Sequence, residues 1–345
     1  MKIAIIFGAK SFEHEISIVS AIALKKVLKS TLVYIFCDYN REFYLIPTDE
    51  ITSKKFSSGE YKKYKKLEIK KGGFFVKSLI GVKKIEFDLC INLVHGADGE
   101  DGKLASLLEF FEIDFIGPRV EASVVSYNKL LTKLYAKEKG VSVLDYRVLA
   151  KNSVREIDFK FPVIIKPLRL GSSIGISVVK SKDELDYALD VAFEFDTQVL
   201  VEPFIDGIKE YNLAGCKVAN GYKFSVTEEP QKEEFLDFDK KYLDFSRTKR
   251  VNRADISATL EESLKNSFKS LYEPLFLGSL IRCDFFVWDE KVYVNEINPI
   301  PGSMANYLFE DFEEVILSLS KALPSATKVP SEYRYINSIQ SAKGK

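Results

Sequence analysis

Short apolar runs alternate with helically spaced apolar positions along most of the chain. Lys2 to Gly8 is an apolar stretch closed by glycine, and after a polar loop Ile16, Val19, Ala23, Val27 and Leu28 recur on one helix face. Strand, loop, helix is the reading. Leu32 to Cys37 gives a second core strand, and Phe87 to Val94 a third that breaks at His95-Gly96. Strands alternating with helices imply a parallel sheet covered on both faces, with ligands at the carboxyl ends of its strands. Ser53 to Lys71, rich in Lys and Tyr and poorly periodic, reads as a solvated excursion on this first domain.

A second unit opens near Glu121, where Ala122, Val125, Leu130, Leu134 and Tyr135 predict one helix ending at Gly140. Strands follow at Tyr146 to Leu149, Pro162 to Pro167 and Ile174 to Val179. The capping-box spacing of Ser181-Lys182-Asp183-Glu184 opens a helix to about Phe195, and the strand Val199 to Phe204 closes the unit. A third unit from Asp206 carries strands at Tyr211 to Val218, Leu280 to Trp288 and Val292 to Ile297, with a helix at about Ile256 to Leu277. The tail after Pro324 is polar and expected to be loosely held. The fold class is thus α/β, turning α+β in its second half. Its parts are an N-terminal parallel-sheet domain over 1–120, a central lobe over 121–205 and a C-terminal lobe over 206–345.

Charge narrows the function classes. Lys plus Arg number 50 and Asp plus Glu 50 in 345 residues, so no basic excess exists to hold nucleic acid by counterion release. The apolar runs are far shorter than the roughly 20 residues needed to span a bilayer. Lys10, Glu13, His14 and Glu15 follow the N-terminal run at once, which makes it a core strand rather than a signal peptide and the expected location cytoplasmic. Cys37, Cys90, Cys216 and Cys283 form no CxxC pair and suit reduced core thiols. With only His14 and His95, any metal is expected on oxygen ligands.

Three segments carry chemistry. Arg282-Cys283-Asp284-Phe285 is followed, twelve residues after Asp284, by Glu296-Ile297-Asn298-Pro299. On two neighbouring strands, alternation places Arg282 with Asp284 on one face and Glu296 with Asn298 on one face, a hard-cation site beside a guanidinium. Alone, Arg282 and Asp284 are equally well a surface pair. Lys166-Pro167-Leu168-Arg169-Leu170-Gly171-Ser172-Ser173-Ile174-Gly175 ends an apolar strand in a lysine and a loop of small residues, offering a cation and backbone N–H groups to phosphates. Such loops are commonly just tight turns, and this one is neither a Walker A nor a GxGxxG turn. Lys129 offers another cation, though a lysine on a helix is more often solvated. Val201-Glu202-Pro203-Phe204-Ile205, with Glu210 beyond, suits a strand that pairs with an adenine edge and a carboxylate that reaches ribose, or equally an interdomain linker.

Together these segments resemble the ATP-grasp carboxylate–amine ligases. Ser11-Phe12-Glu13-His14-Glu15-Ile16-Ser17, His95-Gly96-Ala97-Asp98-Gly99-Glu100-Asp101-Gly102, the Lys166 to Gly175 loop, Lys241-Tyr242-Leu243, Arg282-Cys283-Asp284 and Glu296 to Gly302 narrow the resemblance to the D-alanine–D-alanine ligase family, over nearly the whole chain. The resemblance implies a pre-ATP-grasp domain followed by a two-lobed ATP-grasp fold. It also implies ligation of two D-alanines through an acyl phosphate for peptidoglycan precursors. Lys129, Lys166, Lys241 and Ser173 would serve the ATP phosphates, Glu202 and the backbone of Pro203, Phe204 and Ile205 the adenine, and Glu210 the ribose. Asp284, Glu296 and Asn298 match ligands of two Mg²⁺ or Mn²⁺ ions. Glu13, with His95 close by, would hold the first D-alanine's ammonium, in a trio with Ser172 and Tyr242. Arg282 and the N–H of Gly302 match the oxyanion site, and Tyr242 favours an amine as second nucleophile. A homodimer is implied, with no nucleic-acid or membrane partner.

Some positions depart from the family pattern. Leu170 replaces a common Glu. Pro203 replaces a hinge lysine and removes one donor, leaving the N–H of Ile205. Tyr307 stands where a serine usually receives the second substrate's carboxylate, with Ser303 as another candidate and Leu308 as the adjoining apolar contact. Glu233 to Lys240 and the stretch from Leu243 to Asp255 read as lid segments. The other readings are a D-Ala–D-Lac or different ATP-grasp ligase, or an ATP-binding regulatory protein without turnover.

Overall fold

The computed structural model describes residues 1–78, 81–230, 251–325, 329 and 332–342. A first sheet contains β1 (Lys2–Gly8), β2 (Thr31–Cys37), β3 (Phe43–Ile46), β4 (Lys65–Lys70), β5 (Gly73–Ser78), β6 (Gly81–Lys84), β7 (Leu89–Asn92) and β8 (Phe115–Ile116), in the order β6-β5-β4-β3-β2-β1-β7-β8. β1 pairs in parallel with β2 and β7, and β7 with β8. The apolar run of β1 is continuous because both its faces are covered. Ile3, Ile5 and Phe7 meet Ile18, Ala21 and Leu24 of α1 (His14–Val27). Ala4 and Ile6 share the opposite core with Leu104, Ala105 and Leu108, which belong to the helix Lys103–Phe110.

The sheet is mixed, however, since β3 to β6 continue it antiparallel. The reading of Ser53 to Lys71 as a solvated excursion is thereby corrected. α2 (Ser53–Ser57), a 3-10 turn (Glu60–Lys63) and β4 belong to this half, with Phe56 and Tyr61 buried, each 4.7 Å by ring centroid from Phe36. A strand wet on one face needs only an inward residue such as Leu67, and lysines suit a sheet's open edge.

The single helix predicted from Ala122 to Gly140 is two. With Lys103–Phe110 as α3, they are α4 (Val120–Tyr127) and α5 (Lys129–Glu138), separated by Asn128. The Asn128 side chain accepts from the N–H groups of Leu130 and Leu131 at 3.0 and 3.3 Å, capping α5 and ending α4. The apolar spacing runs through the break because Ala122 and Ala136 face one core, shared with Leu264 and Phe268.

A second sheet, antiparallel and ordered β11-β10-β12-β9, comprises β9 (Arg147–Ala150), β10 (Val163–Pro167), β11 (Ser177–Val179) and β12 (Gln198–Pro203). α6 (Leu185–Phe193) covers it through Leu185, Ala188 and Leu189. The helix opens through a 3-10 turn (Lys182–Glu184) whose Ser181 makes no side-chain cap bond; Glu184 accepts from the N–H of Lys180 at 2.8 Å. The third sheet, ordered β14-β13-β15-β16, comprises β13 (Lys209–Val218), β14 (Gly221–Phe224), β15 (Ile281–Trp288) and β16 (Lys291–Asn298), with the helix Ala258–Tyr272 against it. Met304, Tyr307, Leu308 and the helix Phe312–Ser320 return to the core of the first sheet beside α1. The helix Ile336–Ala342 near the C-terminus is exposed throughout. All four cysteines are buried and form no disulfide. Among the described residues no helix is long and apolar enough to cross a membrane.

Candidate active site

Residues of β10, β13, β15 and β16, with others from the segments after β1, β7 and β10, line one cavity of about 290 Å³. Its floor is the pairing of β15 with β16, where Arg282 lies opposite Asn298 and Asp284 opposite Glu296. Alternation turns all four side chains into the cavity, as the sequence spacing requires. Arg282 donates from Nε and Nη2 to the two Asp284 oxygens at 2.7 Å each, and from Nη1 to Tyr307 Oη at 3.3 Å. Asn298 Nδ2 donates to Asp284 Oδ2 at 3.0 Å. Burial pushes the Asp284 carboxyl up, and the charge and hydrogen bonds of Arg282 oppose that.

The register shifts directly after Asp284: Phe285 faces Val294, leaving Asn295 as the extra residue of a bulge. Asn295 therefore joins Glu296 on the cavity wall, and its Oδ1 accepts from Lys166 Nζ at 3.2 Å. Strict alternation assigns Asn295 to the opposite face, so sequence reasoning missed it. Lys129 Nζ donates to Leu170 O at 2.6 Å and lies 4.0 Å from Glu296.

The opposite wall comes from the segments that follow β1 and β7 and from the Gly/Ser loop after β10. Ser172 Oγ donates to Glu13 Oε1 at 2.5 Å, joining the start of α1 to the Gly/Ser loop. Ser172 and Ser173 both adopt left-handed backbone, φ 55° and 58°. Two glycines make room for the carboxylate. A Cβ at Gly96 would come within 2.6 Å of Glu13 Oε2, and one at Gly171 within 2.9 Å of Oε1. His95 Nε2 is hydrogen-bonded to Ser20 Oγ at 3.1 Å, and Ser20 Oγ also accepts from the N–H of Ser303 at 3.0 Å. Glu100 Oε1 lies 3.8 Å from His95 Nδ1. Burial, then the charge of Glu100, pushes Glu13 up to about 7. Burial likewise lifts Glu100 to about 8 and lowers His95 to about 4. Ser20 and Glu100 were not assigned from sequence. Glu100 sits within the quoted His95 to Gly102 loop, whereas Ser20 is one polar position on an apolar helix.

The raised Glu13 pKa has a stability consequence. A carboxyl that binds its proton more tightly folded than unfolded gives stabilisation that is fully present below about 4.5 and is lost as pH rises through about 7. Thermal denaturation of Glu13→Gln and the parent at pH 5 and pH 7.5 is expected to show the parent losing stability relative to the variant across that window. Parallel curves would refute the assignment.

Other expected site residues fall as follows. Ser173, Glu210, Gly302 and Tyr307 line the cavity, and Glu210 also lines an adjoining groove of about 590 Å³. Glu202 is not on the wall: it is 1% exposed, with Lys166 Nζ at 2.8 Å and Lys133 Nζ at 2.5 Å. Pro203, Phe204 and Ile205 follow at the strand end, where the N–H of Phe204 donates to Pro162 O at 3.0 Å. Leu308, expected as an apolar substrate contact, is instead packed in the core beside α1, 1% exposed, because apolar residues of α1 and the last helices enclose it. Lys241, Tyr242 and most of the expected lid lie outside the described residues. Among the described residues no three His, Cys, Asp or Glu side chains are grouped to hold a metal.

An α/β domain leading into two antiparallel sheets, with a lysine- and carboxylate-lined cavity drawn from all three, is the architecture of an ATP-grasp ligase. The sequence pattern described as D-ala D-ala ligase N-terminus matches residues 2–118, and that described as D-ala D-ala ligase C-terminus matches residues 135–312. A D-alanine–D-alanine ligase of Wolinella succinogenes is 62% identical over 345 residues, covering 100% of both chains. The crystal structure of a D-alanine–D-alanine ligase from Helicobacter pylori superposes with a TM-score of 0.85 at 52% identity, covering 95% of this chain and 100% of that one. A D-Ala:D-Ser ligase from Enterococcus faecalis superposes with a TM-score of 0.74 at 26% identity, covering 92% of this chain and 98% of the other. The chain belongs to the D-alanine–D-alanine ligase family.

Proposed function

We infer that this chain joins two D-alanines into D-alanyl-D-alanine at the expense of ATP, for peptidoglycan precursors. The observation that carries the reading is the single cavity in which the Arg282–Asp284–Asn298 network faces the Glu13–Ser172 pair. In the first step a carboxylate oxygen of D-alanine attacks the γ-phosphorus, the bond to the β-bridging oxygen breaks, and ADP leaves an acyl phosphate. Glu13, ionised as the ammonium arrives, holds the first D-alanine, with His95 neutral beside it at pH 7. In the second step the neutral amine of another D-alanine attacks the acyl carbon, the bond to the phosphate oxygen breaks, and phosphate departs taking up the proton the amine gives up. Arg282 and the N–H of Gly302 face the oxyanion that forms, donors set in advance by the Asp284 clamp and the turn after Pro301.

The nucleotide is placed between the second and third sheets, with Lys129, Lys166 and Ser173 toward its phosphates, the backbone of Glu202 to Ile205 at the adenine and Glu210 at the ribose. The adjoining groove that shares Glu210 supports that placement. Asp284, Glu296 and Asn298 supply only oxygen donors from their carboxylates and amide carbonyl, and two carboxylates beside a phosphate site fit Mg²⁺ or Mn²⁺. Bound there, such ions would neutralise charge on the phosphates. Cytoplasmic location and a homodimer complete the proposal; sedimentation of the purified chain tests the dimer.

The deciding experiment is phosphate release from ATP with D-Ala, L-Ala, D-lactate and D-serine in parallel, with product analysis. Release that needs D-Ala and yields D-alanyl-D-alanine is expected. Depsipeptide or D-alanyl-D-serine as sole product would replace D-Ala as the second substrate, and release independent of D-Ala would remove the ligase reading.

A further inference from the structure

Two lysines hold one buried carboxylate behind the cavity wall. Lys133, on α5, is 1% exposed, and its Nζ lies 2.5 Å from Glu202 Oε1; Lys166, on β10, places Nζ 2.8 Å from Glu202 Oε2. Lys166 alone of the three lines the cavity, where it also donates to Asn295 Oδ1. Among the described residues Lys133 meets Glu202 and, at 5.4 Å, the ring of Tyr146. Two lysine ammonium groups thus meet one carboxylate in a nearly dry setting, and Glu210 and Glu296 also attract Lys166. A one-to-one buried pair would satisfy Glu202, so the second cation needs a reason.

We propose that Lys133 is a positioning residue that keeps the Glu202 carboxylate neutralised when Lys166 swings to a nucleotide phosphate. The inference rests on the nucleotide placement given above. Without Lys133, every excursion of Lys166 toward a phosphate would strand a buried carboxylate without a cation beside it, which opposes the excursion. With Lys133 in place, Glu202 keeps one cation in both states, and Lys166 turns between Glu202 and the ligand at small cost. Lys133 thus serves ATP affinity without touching ATP.

The test uses the purified full chain and ADP with Mg²⁺ by titration calorimetry, alongside steady-state kinetics. Lys133→Met leaves the Glu202–Lys166 pair intact and uncharged overall, so the fold is retained. It is expected to weaken ADP binding and raise KM for ATP by roughly tenfold, with kcat and KM for D-alanine changed less than about twofold; tenfold corresponds to 1.4 kcal/mol. Lys133→Arg keeps the cation and is expected to restore ADP binding to within about threefold of the parent. In a Glu202→Gln background, Lys133→Met is expected to have less than about a twofold further effect, since no carboxylate remains to neutralise. Parent-like ADP binding by Lys133→Met, or the same tenfold loss in the Glu202→Gln background, overturns the proposal while leaving the nucleotide placement standing. A parent chain that binds no ADP overturns both.

Discussion

Arg282→Lys is expected to slow dipeptide formation by about 10²–10³, the usual loss when one preset oxyanion donor is removed. The guanidinium does two jobs with one geometry: Nε and Nη2 face the Asp284 carboxylate at 2.7 Å each, which aims Nη1 across the cavity toward Tyr307. An ammonium is a point charge on a flexible stem and cannot clamp the carboxylate and face the cavity at once. The charge is retained, so Asp284 is not left as an unpaired buried acid and the chain should fold. Quantifying D-alanyl-D-alanine against acyl phosphate trapped with hydroxylamine separates the steps, and the loss should fall on the second. A lysine variant turning over near the parent rate would take Arg282 out of the oxyanion role.

For Glu296→Gln the expected loss is larger, beyond about 10³ and below detection in a product assay, because the change halves the anionic charge offered to a divalent cation. Asp284 is clamped by Arg282 and Asn298. Glu296 is the other carboxylate of the proposed cation set, paired across from Asp284 on β16 and nearly isosteric with the amide that replaces it. Mn²⁺ titration of parent and variant, followed by electron paramagnetic resonance, reads the cation directly. Near-normal dipeptide synthesis, or unchanged Mn²⁺ affinity, would dismiss the metal assignment.

How far the sequence carried depended on whether a feature is local. β1 and α1 were legible because a central strand is apolar throughout and a covering helix repeats at fixed spacing. The strands that hold Arg282, Asp284, Glu296 and Asn298 were legible because period two is unforgiving, and all four side chains do share one face. Asn295 was not legible, since a bulge adds a residue that alternation cannot foresee. The antiparallel half of the first sheet was hidden by its lysines, which mark a wet face and an open edge as readily as a loop. The break at Asn128 was masked by apolar spacing that serves the same core on both sides. Lys133 was overlooked because a lysine four residues past Lys129 on a helix looks solvated; only the fold reveals that Glu202 waits beneath it.

The hydrogen bond from Ser172 to Glu13 spans 159 positions and links the loop after β10 to the start of α1. Its acceptor is the same carboxylate proposed to hold the first substrate, so loop position and substrate occupancy are linked quantities. Reciprocity then applies: whatever factor a docked Gly/Ser loop adds to the affinity for D-alanine, bound D-alanine must return to the docking of the loop. The loop also carries Ser173 and neighbours Lys166, on the proposed phosphate side. If both placements hold, this one bond would let the amino-acid and nucleotide halves of the cavity sense each other.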